Sequence, residues 1–449
     1  MKTWYALFLI MLIFSLGIVL VLGCGDDDDD DNDDNDDDDC IVCESTSECT
    51  EALGPGWVCI GGCCEQVGDD DTADDDTGDD DTGDDDTGDD DDEPGEVAFT
   101  VEDIDRSALG NRQTSVYVDA DGTVHAAYTG CSDGSCEHSE LFYANKADGK
   151  AEWTTTSIDD QNNDTGWFPS MAINSAGDIY ILYANHTQEA LRFAYKPNGG
   201  SWTTEAIGSG RGGWWTSCAL IGEVLIMAHT KMPASGWDGT FLQVGSYDND
   251  QWSWAEADGA NYGGFYTAMA VTPDNRPVVT HTIVPGIAVG YLQLAEWTGT
   301  EWDVSQLDGN SIGNDIIVDD DGFFHVVYSK VDPVNSNLWD LWYATNAPDG
   351  QWTKTAIDEG ADNEDDTGGY PHIAIDDHGN LHVSYRHFGN NELKYARQVN
   401  GEWEFHVADS IGGGLYSSIA IDDQGGVHVV YEDGITMHYA YCPTCAVYE

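Results

Sequence analysis

Lysine and arginine are scarce in this chain: 15 among 449 residues, against 85 aspartates and glutamates, for a formal charge of −70. The imbalance is uneven. Of the acidic residues 33 precede Pro94, so residues 95–449 carry 52 acidic side chains against 14 basic ones, or −38. A surface of that sign repels phosphate backbones, which excludes nucleic acid as a partner. It suits solubility in salty water or loose binding of calcium by the acidic segments, and no other cofactor is expected. A helical protein is poorly supported as well: 51 glycines, 16 tryptophans and 11% aromatic residues fit an all-β chain.

One apolar run, from Trp4 to Leu22 behind Lys2, is long enough to cross a bilayer. A basic start, an apolar stretch and a small residue before a cleavage point also describe a secretory signal. Val21-Leu22-Gly23-Cys24 resembles the lipobox of bacterial lipoproteins. The resemblance implies a signal peptide over residues 1–23, diacylglycerol on Cys24 and, with Gly25 following, delivery to the outer membrane of the cell envelope. An uncleaved membrane anchor is the alternative. Both export everything after residue 24.

Cysteine usage agrees with export. Cys40, Cys43, Cys49, Cys59, Cys63 and Cys64 crowd into residues 40–65, and Cys131/Cys136 and Cys442/Cys445 form two local pairs. In an oxidising compartment the crowded segment reads as a disulfide-stapled module, too short to hold a core otherwise. Its connectivity stays open. Zinc competes for these thiols, but the segment has no histidine. Cys218 is left over, a small buried hydrophobe inside a predicted strand. Residues 24–39 and 66–95 flank the module and are dominated by aspartate. Like charges repel and almost nothing apolar is available to bury, so both read as extended acidic tethers.

From residue 96 a repeat takes over. "SVYVDADGTVHAAY" at Ser115, "DIIVDDDGFFHVVY" at Asp315, "HIAIDDHGNLHVSY" at His372 and "SIAIDDQGGVHVVY" at Ser418 are variants of one unit, which recurs about every 50 residues. Each unit alternates apolar and polar residues, turns at Asp-x-x-Gly, returns through His-Val-x-Tyr, and adds a third strand and a fourth that opens at tryptophan. One such meander cannot bury both faces, so neighbours must stack. Repeats of this length and strand count predict an all-β, seven-bladed β-propeller over residues 96–449. The last unit lacks its tryptophan-led strand. "FTVEDID" (Phe99–Asp105) aligns with "WEFHVAD" and is expected to complete the C-terminal blade, leaving no open edge.

His125, His325, His382 and His428 share one repeat position. Equivalent positions on different blades spread around a ring instead of converging on a metal, so these read as structural. Six residues before the end of each first strand lie Gln113, Phe168, Trp215, Tyr266, Gly313, Tyr370 and Tyr416. The register places the five aromatic rings around one face of the central opening, where they can stack on the C–H faces of sugars. Packing between blades to seal the fold is their competing role. The loops at 131–140, 233–239 and 332–340 are expected to crown the same face, as are Arg112, Arg211 and Arg386.

Residues 96–449 resemble the sialidase-like β-propeller superfamily and the repeat-built propeller lectins found on bacterial surface lipoproteins. The resemblance rests on the repeat and on degenerate Asp-box-like turns: "PNGGSW" (197–202), "APDGQW" (347–352) and "QVNGEW" (398–403). For an enzyme it implies arginines clamping a substrate carboxylate and a tyrosine nucleophile with a glutamate partner. The Arg-Ile-Pro of sialidases is absent, and no catalytic residue is assigned. The expectation is a monomeric, lipid-anchored glycan-binding protein using Phe168, Trp215, Tyr266, Tyr370 and Tyr416, with Arg112, Arg211 and Arg386 beside them. A sialidase-like glycoside hydrolase is the first alternative and needs a carboxylate pair near those arginines. A scaffold for a cell-surface protein is the second and would bury the rings.

Overall fold

The computed structural model describes residues 57–60, 63–66, 97–105, 113–131, 138–160, 163–286, 290–332, 338–360 and 366–447. The apolar run, Cys24, Cys40, Cys43, Cys49, Cys136, Arg112 and the acidic tethers beyond Gln66 lie outside these residues. The chain divides into two compact units, Ile18–Asp91 and the rest. In the first, β1 (Trp57–Ile60) and β2 (Cys63–Gln66) form an antiparallel hairpin with Cys59 opposite Cys64. Among the described residues there is no helix, and so none long and apolar enough to cross a membrane.

The larger unit is built from antiparallel sheets. β3 (Thr100–Asp105) is first in the chain but pairs last. β4 (Ser115–Val118), β5 (Val124–Gly130), β6 (Glu140–Lys146) and β7 (Thr154–Asp159) form one four-stranded sheet in chain order. The next comprises β8 (Trp167–Ile173), β9 (Ile179–Asn185), β10 (Ala190–Lys196) and β11 (Thr203–Ala206). The third comprises β12 (Gly212–Ile221), β13 (Val224–Lys231), β14 (Phe241–Asp248) and β15 (Gln251–Asp258). A seven-stranded sheet follows: β16 (Phe265–Val271), β17 (Pro277–Ile283), β18 (Gly290–Trp297), β19 (Trp302–Val318), β20 (Phe324–Val331), β21 (Trp339–Thr345) and β22 (Thr353–Asp358). β23 (Gly369–Ile375), β24 (Leu381–His387), β25 (Glu392–Val399) and β26 (Glu402–Asp409) make another four-stranded sheet. The last contains β27 (Leu415–Ile421), β28 (Val427–Glu432), β29 (Met437–Cys442) and, outermost, β3. The N-terminal strand thus completes the C-terminal sheet, with Tyr441 opposite Thr100 and Met437 opposite Asp105.

The first strands lie side by side in chain order, and β27 returns to touch β4, as in a propeller. Two repeated interactions fix neighbouring sheets. A fully buried tyrosine on a second strand donates its hydroxyl to an aspartate ending the previous sheet's outer strand: Tyr128 to Asp105 (2.9 Å), Tyr183 to Asp159 (2.5 Å), Tyr385 to Asp358 (2.6 Å) and Tyr431 to Asp409 (2.5 Å); within the seven-stranded sheet Tyr328 of β20 donates likewise to Asp308 of β19 (2.7 Å). The aromatic residue opening a fourth strand packs edge-on against the previous sheet's third strand. Trp202 meets Tyr143 at 5.1 Å, Trp403 meets Tyr343 at 5.5 Å, and Phe99 meets Tyr395 at 5.2 Å. Phe99 thus takes the position that tryptophan holds elsewhere.

The shared histidines are structural. Asp119 Oδ1 accepts the N–H groups of Asp121 and Thr123 to close the first turn. Its Oδ2 lies 3.0 Å from His125 Nε2, and His125 Nδ1 lies 2.6 Å from the Tyr143 hydroxyl. The same Asp–His–Tyr arrangement recurs at Asp319–His325–Tyr343, Asp376–His382–Tyr395 and Asp422–His428–Tyr439. Burial acts to raise the Asp376 carboxyl, yet hydrogen bonds from His382 and Asn380 bring it down to about 2. Each group ties three strands of its own sheet together and needs no metal. Cys442 and Cys445 are joined by a disulfide, Cys131 is disulfide-bonded, and Cys218 is a free thiol on β12 that burial pushes up to about 12.

β13 carries an acid-sensitive histidine instead. His229 is buried; its Nδ1 accepts the Gly213 N–H at 3.0 Å, and its Nε2 faces Gln243 Oε1 at 3.1 Å. Burial lowers its pKa to about 4, against smaller raising effects from Thr230 and Gln243. The folded form therefore stays neutral while the unfolded chain takes up a proton below its ordinary value near 6.5. Stability from this site is intact above that value and is lost as pH falls to about 4, by roughly 3 kcal/mol. His229→Asn is expected to melt lower at pH 7 but to lose less between pH 7 and pH 4.5 than the native chain, in melting curves taken across that range.

Candidate functional site

The five aromatic positions share an unusual backbone. Phe168, Trp215, Tyr266, Tyr370 and Tyr416 have φ of 55°, 49°, 51°, 50° and 49°, and Gly313 at the equivalent point has 61°. Each sits at a register shift between the first and second strands of its sheet. A left-handed residue at such a bulge is ordinarily glycine, since a side chain there costs about 1–2 kcal/mol. Two residues earlier glycine is obligatory. Gly368 has φ of 78°, and a Cβ on it would lie 2.3 Å from the Leu341 nitrogen of the preceding sheet.

The bulge turns each aromatic carbonyl toward the next sheet. Thr216 donates to Phe168 O, Thr267 to Trp215 O, Asn314 to Tyr266 O at 2.9 Å and Thr114 to Tyr416 O at 2.7 Å. The rings meet one another instead of standing alone: Phe168 lies 5.1 Å from Trp215, Trp215 lies 5.1 Å from Tyr266, and Tyr370 lies 4.1 Å from Tyr416, centroid to centroid. Their exposure differs. Phe168 (6%) and Trp215 (2%) are buried, whereas Tyr266, Tyr370 and Tyr416 are half-buried.

The face they share has two unlike parts. Over β8, β12 and β16 it is apolar. Trp214, Trp215 and Phe265 pack with Phe168, the half-buried Trp237 of the 232–240 loop stands 5.2 Å edge-on from Trp214, and Trp167 stacks on His186 at 3.7 Å. Over β23 and β27 it is polar. Burial raises the Tyr370 hydroxyl well above its ordinary range, and Tyr416, to which it hydrogen-bonds, raises it further. Tyr370 therefore keeps its proton at any ordinary pH. Arg386, the penultimate residue of β24, lies beside it. Its Nη2 donates to Asn391 Oδ1, and its guanidinium lies 5.2 Å from the Phe388 ring. Its Nε and Nη1 are withdrawn from solvent and have no hydrogen-bond partner among the described residues. Leaving such donors unmatched costs about 1–3 kcal/mol, more for a charged group.

Arg211 behaves differently. Both its Nε and Nη2 are held by the Glu189 carboxylate, the latter at 2.5 Å, and Nη1 donates to Pro233 O at 3.0 Å and Gly236 O at 2.9 Å. Its donors are committed to clamping the 232–240 loop that presents Trp237.

Two acidic residues of the site have no motif to mark them in the sequence. Glu432 ends β28 and is fully buried. It is findable as a departure from the repeat, because Thr129, Ala184, Thr230, Thr282 and Ser329 hold its position elsewhere and Arg386 holds it in the neighbouring sheet. Asp340 is the second residue of β21, and burial, reinforced by Asp332, Glu359 and Asp358, pushes its carboxyl up to about 6. Asp340 is fully buried, so its proton is not presented to a ligand. Among the described residues no group of three or more His, Cys, Asp or Glu side chains is arranged to hold a metal ion.

No protein-family model matches the chain, and no curated protein matches it. Solved structures do. The chain is similar to the polysaccharide lyase Uly1, with a TM-score of 0.51 at 10% identity over 75% of this chain and 91% of that one. It is also similar to the α-L-arabinofuranosidase Arb93A from Fusarium graminearum (0.49, 10%, covering 78% and 98%). A third is the Hadza microbial sialidase Hz136 (0.46, 13%), where 75% of this chain covers 66% of that protein, just under two thirds of its length. At 10% identity the likeness to Uly1 supports the propeller-like fold, not a chemistry.

Proposed function

We propose that this chain is an exported, lipid-anchored, seven-bladed propeller whose aromatic face recognises glycans at the cell envelope. The blade count is supported by dividing the seven-stranded sheet within β19, whose first half pairs with β18 and second half with β20. Five four-stranded sheets and these two make seven. The lipid anchor rests on Val21–Cys24 and the export that both readings of the N-terminus require.

The observation that carries the glycan reading is the unlike pair of surfaces on one face. An apolar half with a half-buried tryptophan, facing hydroxyl and guanidinium donors, matches a sugar, which has C–H faces and hydroxyl edges. Three of the similar structures are named for action on glycans, which is in keeping with this reading but does not carry it. Binding is favoured over catalysis by tyrosine because burial keeps Tyr370 protonated, which suits a donor and not a nucleophile. The test is a glycan array probed with the full chain in detergent, beside a Trp237→Ala/Tyr370→Ala variant. Binding that weakens at least tenfold, about 1.4 kcal/mol, in a folded variant is the expected result. A blank array for the folded native chain would move the reading to a protein partner.

A further inference from the structure

The face of the ring departs from its repeat at one junction, between the sheet of β23–β26 and the sheet of β27–β29 with β3. Elsewhere the residue after the second-strand tyrosine or histidine is small, Ala184 in the sheet of β8–β11 and threonine or serine in the others, and in three places it reaches the next sheet. Thr129 donates to Gly166 O at 2.7 Å, Thr230 to Gly264 O at 2.5 Å and Ser329 to Gly368 O at 2.6 Å. Those glycines lie two residues before the aromatic positions Phe168, Tyr266 and Tyr370. The position therefore sits directly under the aromatic face. At this junction it is filled in succession by Arg386 and Glu432.

We propose that Arg386 and Glu432 together select neutral sugars, the guanidinium donating to a sugar hydroxyl oxygen while the fully buried Glu432 carboxylate disfavours a ligand carboxylate through its charge. This rests on the glycan-binding reading and names the class of glycan within it. Arg386 is the half-buried arginine whose Nε and Nη1 are sheltered from water without a hydrogen-bond partner among the described residues. Arg211, by contrast, shows how this fold treats an arginine it needs for structure, with a carboxylate and two carbonyls around it. The side of the site that faces Arg386 is already anionic: Glu432 and Asp366 both act on its guanidinium. A ligand carboxylate would bring another negative charge beside Glu432, on a chain that carries −38 between residues 95 and 449. A hydroxyl accepts from arginine without adding a charge beside Glu432.

The experiment is calorimetric titration of the full chain in detergent with two sets of probes. One is neutral: cellohexaose, xylohexaose and mannohexaose. The other is acidic: hexagalacturonate and 3′-sialyllactose. The expected result is binding of at least one neutral oligomer and none of the acidic ones. Arg386→Gln should then bind that oligomer at least tenfold more weakly. Glu432→Gln, which keeps side-chain volume but removes a negative charge, should keep most of the neutral affinity and gain affinity for hexagalacturonate. Native chain that binds only acidic probes would overturn the neutral-sugar inference while leaving glycan recognition standing. Neutral binding unchanged in a folded Arg386→Gln would also overturn it. Failure of both probe sets would instead remove the functional reading beneath it. If either variant fails to fold, as judged by its melting curve, the native chain's choice between the two sets decides.

Discussion

Deleting Val97–Asp105 is expected to abolish the soluble folded state, not merely lower its melting temperature. β3 is the outermost strand of a sheet whose other members come from the far end of the chain. Its loss leaves the β29 edge from Met437 to Tyr441 with unpaired backbone groups, an edge open to pairing with another molecule. Side chains are stranded as well. The hydroxyl of Tyr128, a fully buried residue, loses Asp105; Tyr395 loses the Phe99 ring; and Lys146 and Trp153 lose Glu102, to which they donate at 2.5 and 2.7 Å. The stranded hydroxyl alone costs about 1–3 kcal/mol. The sum approaches the 5–15 kcal/mol, in round terms about 10, that holds an ordinary domain together. Size-exclusion chromatography should show aggregate in place of the native species. A synthetic peptide of residues 97–105 added during refolding should restore part of it by strand addition. A deletion variant that stays monomeric and melts cooperatively near the native temperature would show that the ring does not need this strand.

That strand was legible because the repeat displays its own gaps. The unit ending at Cys442 lacks a fourth strand, and "FTVEDID" carries the same apolar spacing and terminal aspartate as "WEFHVAD". Period-2 alternation located the sheets, and the shared histidine position proved to be an Asp–His–Tyr tie within a sheet. β19 runs on for 17 residues through a point where other sheets break. There Ser311 pairs both with Gly290 of β18 and with Lys330 of β20, so no break separates the two halves. Other features were hidden for physical reasons. Left-handed backbone at an aromatic residue has no local signature, because propensity disfavours it and only tertiary packing holds it there. The commitment of Arg211 to Glu189 joins residues 22 apart on a loop and a strand end, which no periodicity connects. Glu432 was visible only as an exception to its column of small residues, and exceptions gain meaning once the register is placed in space.

The same left-handed positions separate the rings that serve the fold from those that serve a ligand. Trp215→Ala should cost about 3–5 kcal/mol, because the indole is 2% exposed and packs against Phe168, Phe265 and Tyr266. Trp215→Gly should recover about 1 kcal/mol of that, since glycine adopts φ near 49° without the Cβ penalty. The order, alanine worse than glycine, inverts the usual ranking in a strand and would confirm the backbone strain independently of any ligand. Tyr416 presents the other case. Its ring is half-buried, with a φ of 49°. The strain released in Tyr416→Gly should nearly offset the ring packing against Tyr370 that the substitution removes, for a net change within about 1 kcal/mol. Denaturant titrations of the four chains, the native one and the three variants, would measure this directly. A sequence that holds tyrosine in a strained conformation for no gain in stability holds it for something outside the fold. If Tyr416→Gly instead unfolds as readily as Trp215→Gly, the tyrosine seals the ring as the tryptophan does, and the polar half of the face loses its claim to be a binding surface.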